Sequence, residues 1–105
     1  MSTLSTHVLD TALGKPAAGV RVMLHRGAEQ LGTATTDRDG RAKDFTPTLK
    51  PGTYTLSISV GEYFSSSGRD SFYDVVRIDF KIAADQHYHV PLLISPFGYS
   101  TYRGS

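Results

Sequence analysis

Four histidines, His7, His25, His87 and His89, are the residues best suited to proton chemistry in this chain. An imidazole titrates near pH ~6.5, so it can take or give a proton at neutral pH. His87 and His89 stand two apart in a segment that alternates apolar and polar residues. On an extended strand both project from the same face. His7 shares a face with Ser5 and Leu9 by the same parity. Three imidazoles converge if the strands carrying His7 and His89 are neighbours. His25 precedes the turn Arg26-Gly27 and reads as an ordinary half-exposed polar residue. Three histidines could also ligate zinc, but no cysteine or helix-borne partner supports that, and no metal or other cofactor is expected.

Arg41 directly follows Asp37-Arg38-Asp39-Gly40. That tetrad reads as a hairpin turn, with Gly40 free to take positive φ and the aspartates capping local N–H groups. Alone, Arg41 is an unremarkable surface arginine. The C-terminal segment is less ordinary, because chain ends are usually frayed. Here Tyr99-Ser100-Thr101-Tyr102-Arg103 reads as a strand, and Gly104-Ser105 follows it. Arg103 brings five donors, and Ser105 joins a hydroxyl to a carboxylate, which suggests a recognition site. The chain has no paired-carboxylate arrangement, no Gly-x-Ser-x-Gly elbow and no phosphate-binding glycine loop.

The elements that would hold these residues are strands. Tyr54, Leu56, Ile58 and Val60 share one face of residues 53–60, and Thr55, Ser57 and Ser59 share the other. In residues 76–82, Val76, Ile78, Phe80 and Ile82 alternate with Arg77, Asp79 and Lys81. Val20, Val22 and Leu24 give a third inward face. Less regular strands are expected over residues 4–9, 30–36, 88–94 and 99–103, with turns at Gly14-Lys15-Pro16, Lys50-Pro51-Gly52 and Ser95-Pro96-Phe97-Gly98. A short helix is expected over residues 61–67. About seven or eight short strands and one helix indicate an all-β, antiparallel sandwich of two sheets. Pro91 cannot donate to a ladder, so its strand is expected at an edge or with a bulge.

Length bounds the rest. The 105 residues suit a single domain over 1–105. The 11 basic and 10 acidic residues give a net charge of +1 and are scattered, so nothing resembles a nucleic-acid footprint. No apolar run nears the ~20 residues that span a bilayer, and the start lacks a signal-peptide pattern. With no cysteine, the sequence suits a reducing compartment, and a cytoplasmic location is the expectation.

Three segments together resemble the 5-hydroxyisourate hydrolases of the transthyretin-like family. The first is Ser5-Thr6-His7-Val8-Leu9-Asp10, with Gly14-Lys15-Pro16-Ala17 after it. The second is Thr36-Asp37-Arg38-Asp39-Gly40-Arg41. The third runs from His87-Tyr88-His89-Val90-Pro91-Leu92-Leu93 through Ser95-Pro96-Phe97-Gly98 to the ending Tyr102-Arg103-Gly104-Ser105. The resemblance covers essentially the whole chain. It implies a transthyretin-like sandwich, a homotetramer built as a dimer of dimers, and active sites in the channel where dimers face each other. The implied reaction is hydrolysis of 5-hydroxyisourate to a carboxylated ureidoimidazoline, without a cofactor. By motif matching, His7, Arg41, His89 and Ser105 are the implied catalytic residues. His7 and Arg41 also bind substrate, together with Tyr102, Arg103 and Gly104, and His87 is at most supportive. The main rival is a non-catalytic carrier of a small hydrophobic ligand, against which a channel lined by His7, Arg41 and His89 argues.

Overall fold

Period-two patterning in the sequence becomes burial in the structure. In the computed structural model, which describes residues 2–105, β1 (Thr3–Asp10) buries Leu4, Thr6, Val8 and Asp10 and turns Ser5, His7 and Leu9 outward. The remaining elements are β2 (Lys15–Pro16), β3 (Arg21–Arg26), β4 (Glu29–Thr35), β5 (Arg41–Lys43), β6 (Gly52–Ile58), α1 (Val60–Ser66), β7 (Val76–Ile82), β8 (His87–Ser95) and β9 (Gly98–Thr101).

The strands form two sheets, as the alternation predicts. One has the order β2-β1-β8-β9, with β5 also paired to β1; the other is β4-β3-β6-β7. Their inner faces meet over Val8, Leu24, Leu56, Ile58, Leu92 and Ile94, all at most 1% exposed. Each such side chain contributes about 1.5–3 kcal/mol by leaving water. Two strands lie outside the sequence-based set. Gly14-Lys15-Pro16 reads as a turn, yet Lys15 and Pro16 pair with Asp10 and Leu9. The three-residue β5 pairs with β1 and carries Arg41.

Every pairing among the described strands is antiparallel except β1 with β8, which run parallel over eight residues. This pair sets the site, because its register places Ser5 opposite His89 and His7 opposite Pro91. It also corrects the expectation for Pro91. β8 is a central strand, between β1 and β9. The side of Pro91 that would carry the N–H faces β9. There the ladder is interrupted between Leu92↔Thr101 and the bridge His89↔Gly104. The missing donor therefore falls in a gap, and the Thr101 hydroxyl caps the Pro91 carbonyl at 2.7 Å.

Val60 is buried, as its parity requires, but it begins α1 and does not end β6. Val60 and Phe64, one turn apart on the helix, face the core. Gly68, at φ 72°, closes the helix in a Schellman turn: its N–H donates to Ser65 O at 3.0 Å, and Arg69 N–H donates to Phe64 O at 3.0 Å. The turn aims Arg69 at Asp10. The fully buried Asp10 carboxylate accepts from Arg69 Nη2 and the Tyr63 hydroxyl, both at 2.7 Å, and from the Ala12 and Leu13 N–H groups. Burial alone would raise its pKa. The hydrogen bonds from Arg69, Tyr63 and Leu13 outweigh burial and hold it below the usual 3.8. The network pins the helix to the end of β1, whose middle carries His7.

Candidate active site

Outward-facing residues of β1, β5 and β8 meet on one face of the five-stranded sheet. His7 lies directly opposite Arg41 across the β1–β5 pair, and Ser5 lies opposite both Lys43 and His89. The loop before β5 fixes this placement. Asp37 Oδ1 accepts from the N–H groups of Asp39 (2.9 Å) and Arg41 (3.0 Å), and Gly40 N–H donates to Asp37 O at 2.9 Å. The Arg41 N–H, with burial opposing and the Asp39 N–H adding, holds the Asp37 carboxyl below its ordinary pKa. Gly40 has φ 76°, and a side chain there would meet Val8 O at 2.4 Å. Only glycine lets the loop lie this close to β1, where Val8 N–H donates to Gly40 O at 2.7 Å.

The same loop orients His7. Its Nε2 lies 2.9 Å from the backbone carbonyl of Asp39. A carbonyl only accepts, so Nε2 carries a proton. Nδ1 is then the ring nitrogen left to face the site.

His89 is half-buried, and its Nδ1 lies 2.7 Å from Ser5 Oγ. Burial first, then the positive charge of His7, Arg41 and His87, push its pKa below the usual 6.5, while contact with Ser5 opposes them. The neutral ring is thereby favoured. Its Nε2 has no protein partner among the described residues.

The C-terminal tail closes over this ring. Gly104 N–H donates to His89 O at 2.8 Å. A Cβ at Gly104 would lie 2.5 Å from His89 Cδ2 and 3.1 Å from Pro91 Cγ. Residue 104 therefore packs flat on the imidazole, which a side chain would prevent.

Residues 4–104 match the HIUase/Transthyretin family. The chain belongs to that family. A 5-hydroxyisourate hydrolase of Caulobacter vibrioides is 51% identical over 115 residues, with 100% of each chain covered. The solved structure of Klebsiella pneumoniae 5-hydroxyisourate hydrolase matches with a TM-score of 0.95 and 47% identity, covering 100% of both chains. Sea bream transthyretin in complex with thyroxine matches with a TM-score of 0.92 and 25% identity, covering 97% of this chain and 94% of that one. The sandwich, the short helix and the order of strands are thus those of the HIUase/Transthyretin family.

Of the residues singled out in the sequence, His7, Arg41, His89 and Gly104 come together. Arg103 meets this group only at His89. Its guanidinium stacks on the Tyr88 ring at 4.7 Å and lines a cavity of about 170 Å3 with Tyr102, Thr101, Phe80 and His89. Tyr102 is 57% exposed, and Ser105 is exposed at the end of the tail. His25 is the structural residue its turn suggests, with Nε2 2.9 Å from Ser57 Oγ. Among the described residues, no three His, Asp or Glu side chains are grouped so that they could hold a metal ion. A larger depression, about 520 Å3, lies on the outer face of the other sheet, around Met23, His25, Ser57 and Arg77. It has a single imidazole, committed to Ser57, and no approach to His7 or His89, so volume is a poorer guide to the chemistry here than the grouping of imidazoles. Sequence reasoning missed Ser5 as a site residue. The available signal was its parity with His7.

Proposed function

We propose that the protein hydrolyses 5-hydroxyisourate to 2-oxo-4-hydroxy-4-carboxy-5-ureidoimidazoline. The observation that carries this reading is the convergence of His7, Arg41 and His89 under the Gly104 tail. The relatives named 5-hydroxyisourate hydrolase support it, because they match over the full chain.

The reaction needs a base for water, donors for the developing oxyanion and an acid for the leaving nitrogen. His7 Nδ1 takes a proton from water as the oxygen attacks the ring acyl carbon. Arg41, opposite His7, forks its donors onto substrate carbonyl oxygens, where negative charge builds. The C–N bond then breaks, and the nitrogen takes a proton from His89. Tyr102 and Arg103 bound the substrate, and Ser105 holds the attacking water through its hydroxyl. None of these steps calls on a cofactor. The site face is open in a single chain, with Arg41, His87 and Tyr102 exposed. We place it in the channel of a homotetramer, where two dimers meet. A hydrophobic carrier role fits this face poorly, because it presents two imidazoles and a guanidinium.

The test is substitution of His7, Arg41 and His89 singly by alanine, with folding checked by circular dichroism. Each loss should lower kcat/KM by about 10²–10⁴-fold, the scale of one positioned acid–base group. Wild-type rates in all three folded variants would contradict the assignment.

A further inference from the structure

His89 is the inner end of a continuous hydrogen-bonded chain that leaves the site. Its Nδ1 lies 2.7 Å from Ser5 Oγ. The same Ser5 Oγ lies 2.8 Å from His87 Nε2. His87 Nδ1 lies 2.6 Å from Thr3 Oγ1. The parallel register of β1 and β8 builds this ladder, with Thr3 opposite His87 and Ser5 opposite His89. His89 is half-buried and His87 is exposed. His87, Thr3 and Ser5 also line a separate groove of about 210 Å3, together with Lys43, Asp44 and Thr46. Asp44 holds a left-handed backbone there, at φ 56°, which is uncommon for a residue other than glycine and clusters at functional positions.

We propose that Ser5 and His87 form a proton relay that draws a proton from solvent through this groove to keep His89 neutral as it gives up its own, and so makes His89 the acid. The proposal rests on the hydrolysis assigned above. In the resting chain, Ser5 O–H donates to His89 Nδ1, His87 Nε2–H donates to Ser5 Oγ, and Thr3 O–H donates to His87 Nδ1. His89 then bears its proton on Nε2, the nitrogen without a protein partner. When Nε2 gives that proton to the leaving nitrogen, Nδ1 takes one from Ser5, Ser5 takes one from His87 Nε2, His87 Nδ1 takes one from Thr3, and Thr3 takes one from solvent. One proton enters at the groove as one leaves at the substrate, and no ring gains net charge; once product leaves, water protonates Nε2 and the chain runs back to its resting tautomers, returning a proton to solvent at the groove. This suits His89, which faces His7 on β1, Arg41 on β5 and His87 on its own strand, and in whose surroundings a lasting positive charge is disfavoured. Lys43 on β5, opposite Ser5, adds to the same field. Ser5 and His87 are positioning and proton-transferring residues; neither touches substrate.

The experiment compares Ser5→Ala, Ser5→Thr and His87→Ala with the wild type, using 5-hydroxyisourate in dilute and in imidazole-containing buffer. Loss of the relay should lower kcat about tenfold in Ser5→Ala and His87→Ala, with KM within about twofold, a fraction of the full acid–base effect. Ser5→Thr keeps the hydroxyl and should recover most of the rate. Added imidazole should raise the rate of His87→Ala in proportion to its concentration and leave the wild type unchanged. Unchanged kcat in both alanine variants would overturn the relay. A loss insensitive to imidazole, with Ser5→Thr as slow as Ser5→Ala, would overturn it too, by showing a structural role. A wild type that fails to hydrolyse the compound would instead sink the assigned reaction. In that case, 15N spectra of His89 still test the relay: the wild type should hold a single Nε2–H tautomer and Ser5→Ala a mixture, and a mixture in both would overturn it.

Discussion

Gly104→Ala tests how the tail and His89 depend on one another. The new Cβ would sit 2.5 Å from His89 Cδ2 and 3.3 Å from Cγ, against an ordinary carbon contact of about 3.5–4.0 Å. Pro91 Cγ, at 3.1 Å, belongs to a stiff ring that gives little. Two responses remain. The tail lifts, which gives up the Gly104 N–H to His89 O bond, a loss of about 1 kcal/mol. Otherwise the imidazole turns away from its rotamer, at about 0.5–1.5 kcal/mol, and strains the bond to Ser5. Either response costs about 1–2 kcal/mol, which corresponds to about 5–30-fold in the population of the assembled site. The expected outcome is a fall of that size in kcat/KM on 5-hydroxyisourate. The melting temperature should move little, because residue 104 lies outside the core. Carboxypeptidase should also trim the variant faster than the wild type. Wild-type kcat/KM together with wild-type resistance to trimming would refute this account of the tail.

Three further outcomes follow from other parts of the structure. Asp10→Ala leaves Arg69, Tyr63 and two backbone N–H groups without their acceptor. Breaking a buried pair in this way costs about 3–5 kcal/mol, so thermal melting should fall by more than about 10 °C. Because the folded Asp10 pKa lies below 3.8, its contribution is present above that pH and fades as pH falls through the folded value; acid titration of Asp10→Asn should show a shallower loss of stability in that range. Ser105→Ala removes the hydroxyl assigned to the attacking water and should lower turnover, and full activity in that variant would remove Ser105 from the mechanism.

The sequence showed the sandwich because Tyr54, Leu56 and Ile58, and Val76 to Ile82, alternate cleanly, and burial follows parity. It misplaced Val60 because position 60 continues the parity of 54, 56 and 58 while the backbone is already helical. His87 and His89 sharing a face was legible from spacing alone. Ser5 joining them was not, because that contact depends on a parallel register between residues more than eighty positions apart. The strand β5, which carries Arg41, was hidden for a related reason. Three residues carry too little pattern to read as a strand, and β5 exists because Gly40 lets the loop dock on β1. Pro91 misled in the opposite direction: the rule that proline avoids central strands holds for ladder donors, and here the ladder is broken where the donor is missing.

The most direct measurement generates 5-hydroxyisourate in place from urate and uricase and follows its decay with and without the protein, by absorbance and circular dichroism. The account predicts decay well above the spontaneous rate, with a dichroic signal from one enantiomer of the ureidoimidazoline. Decay at the spontaneous rate, giving an optically inactive product, would contradict it.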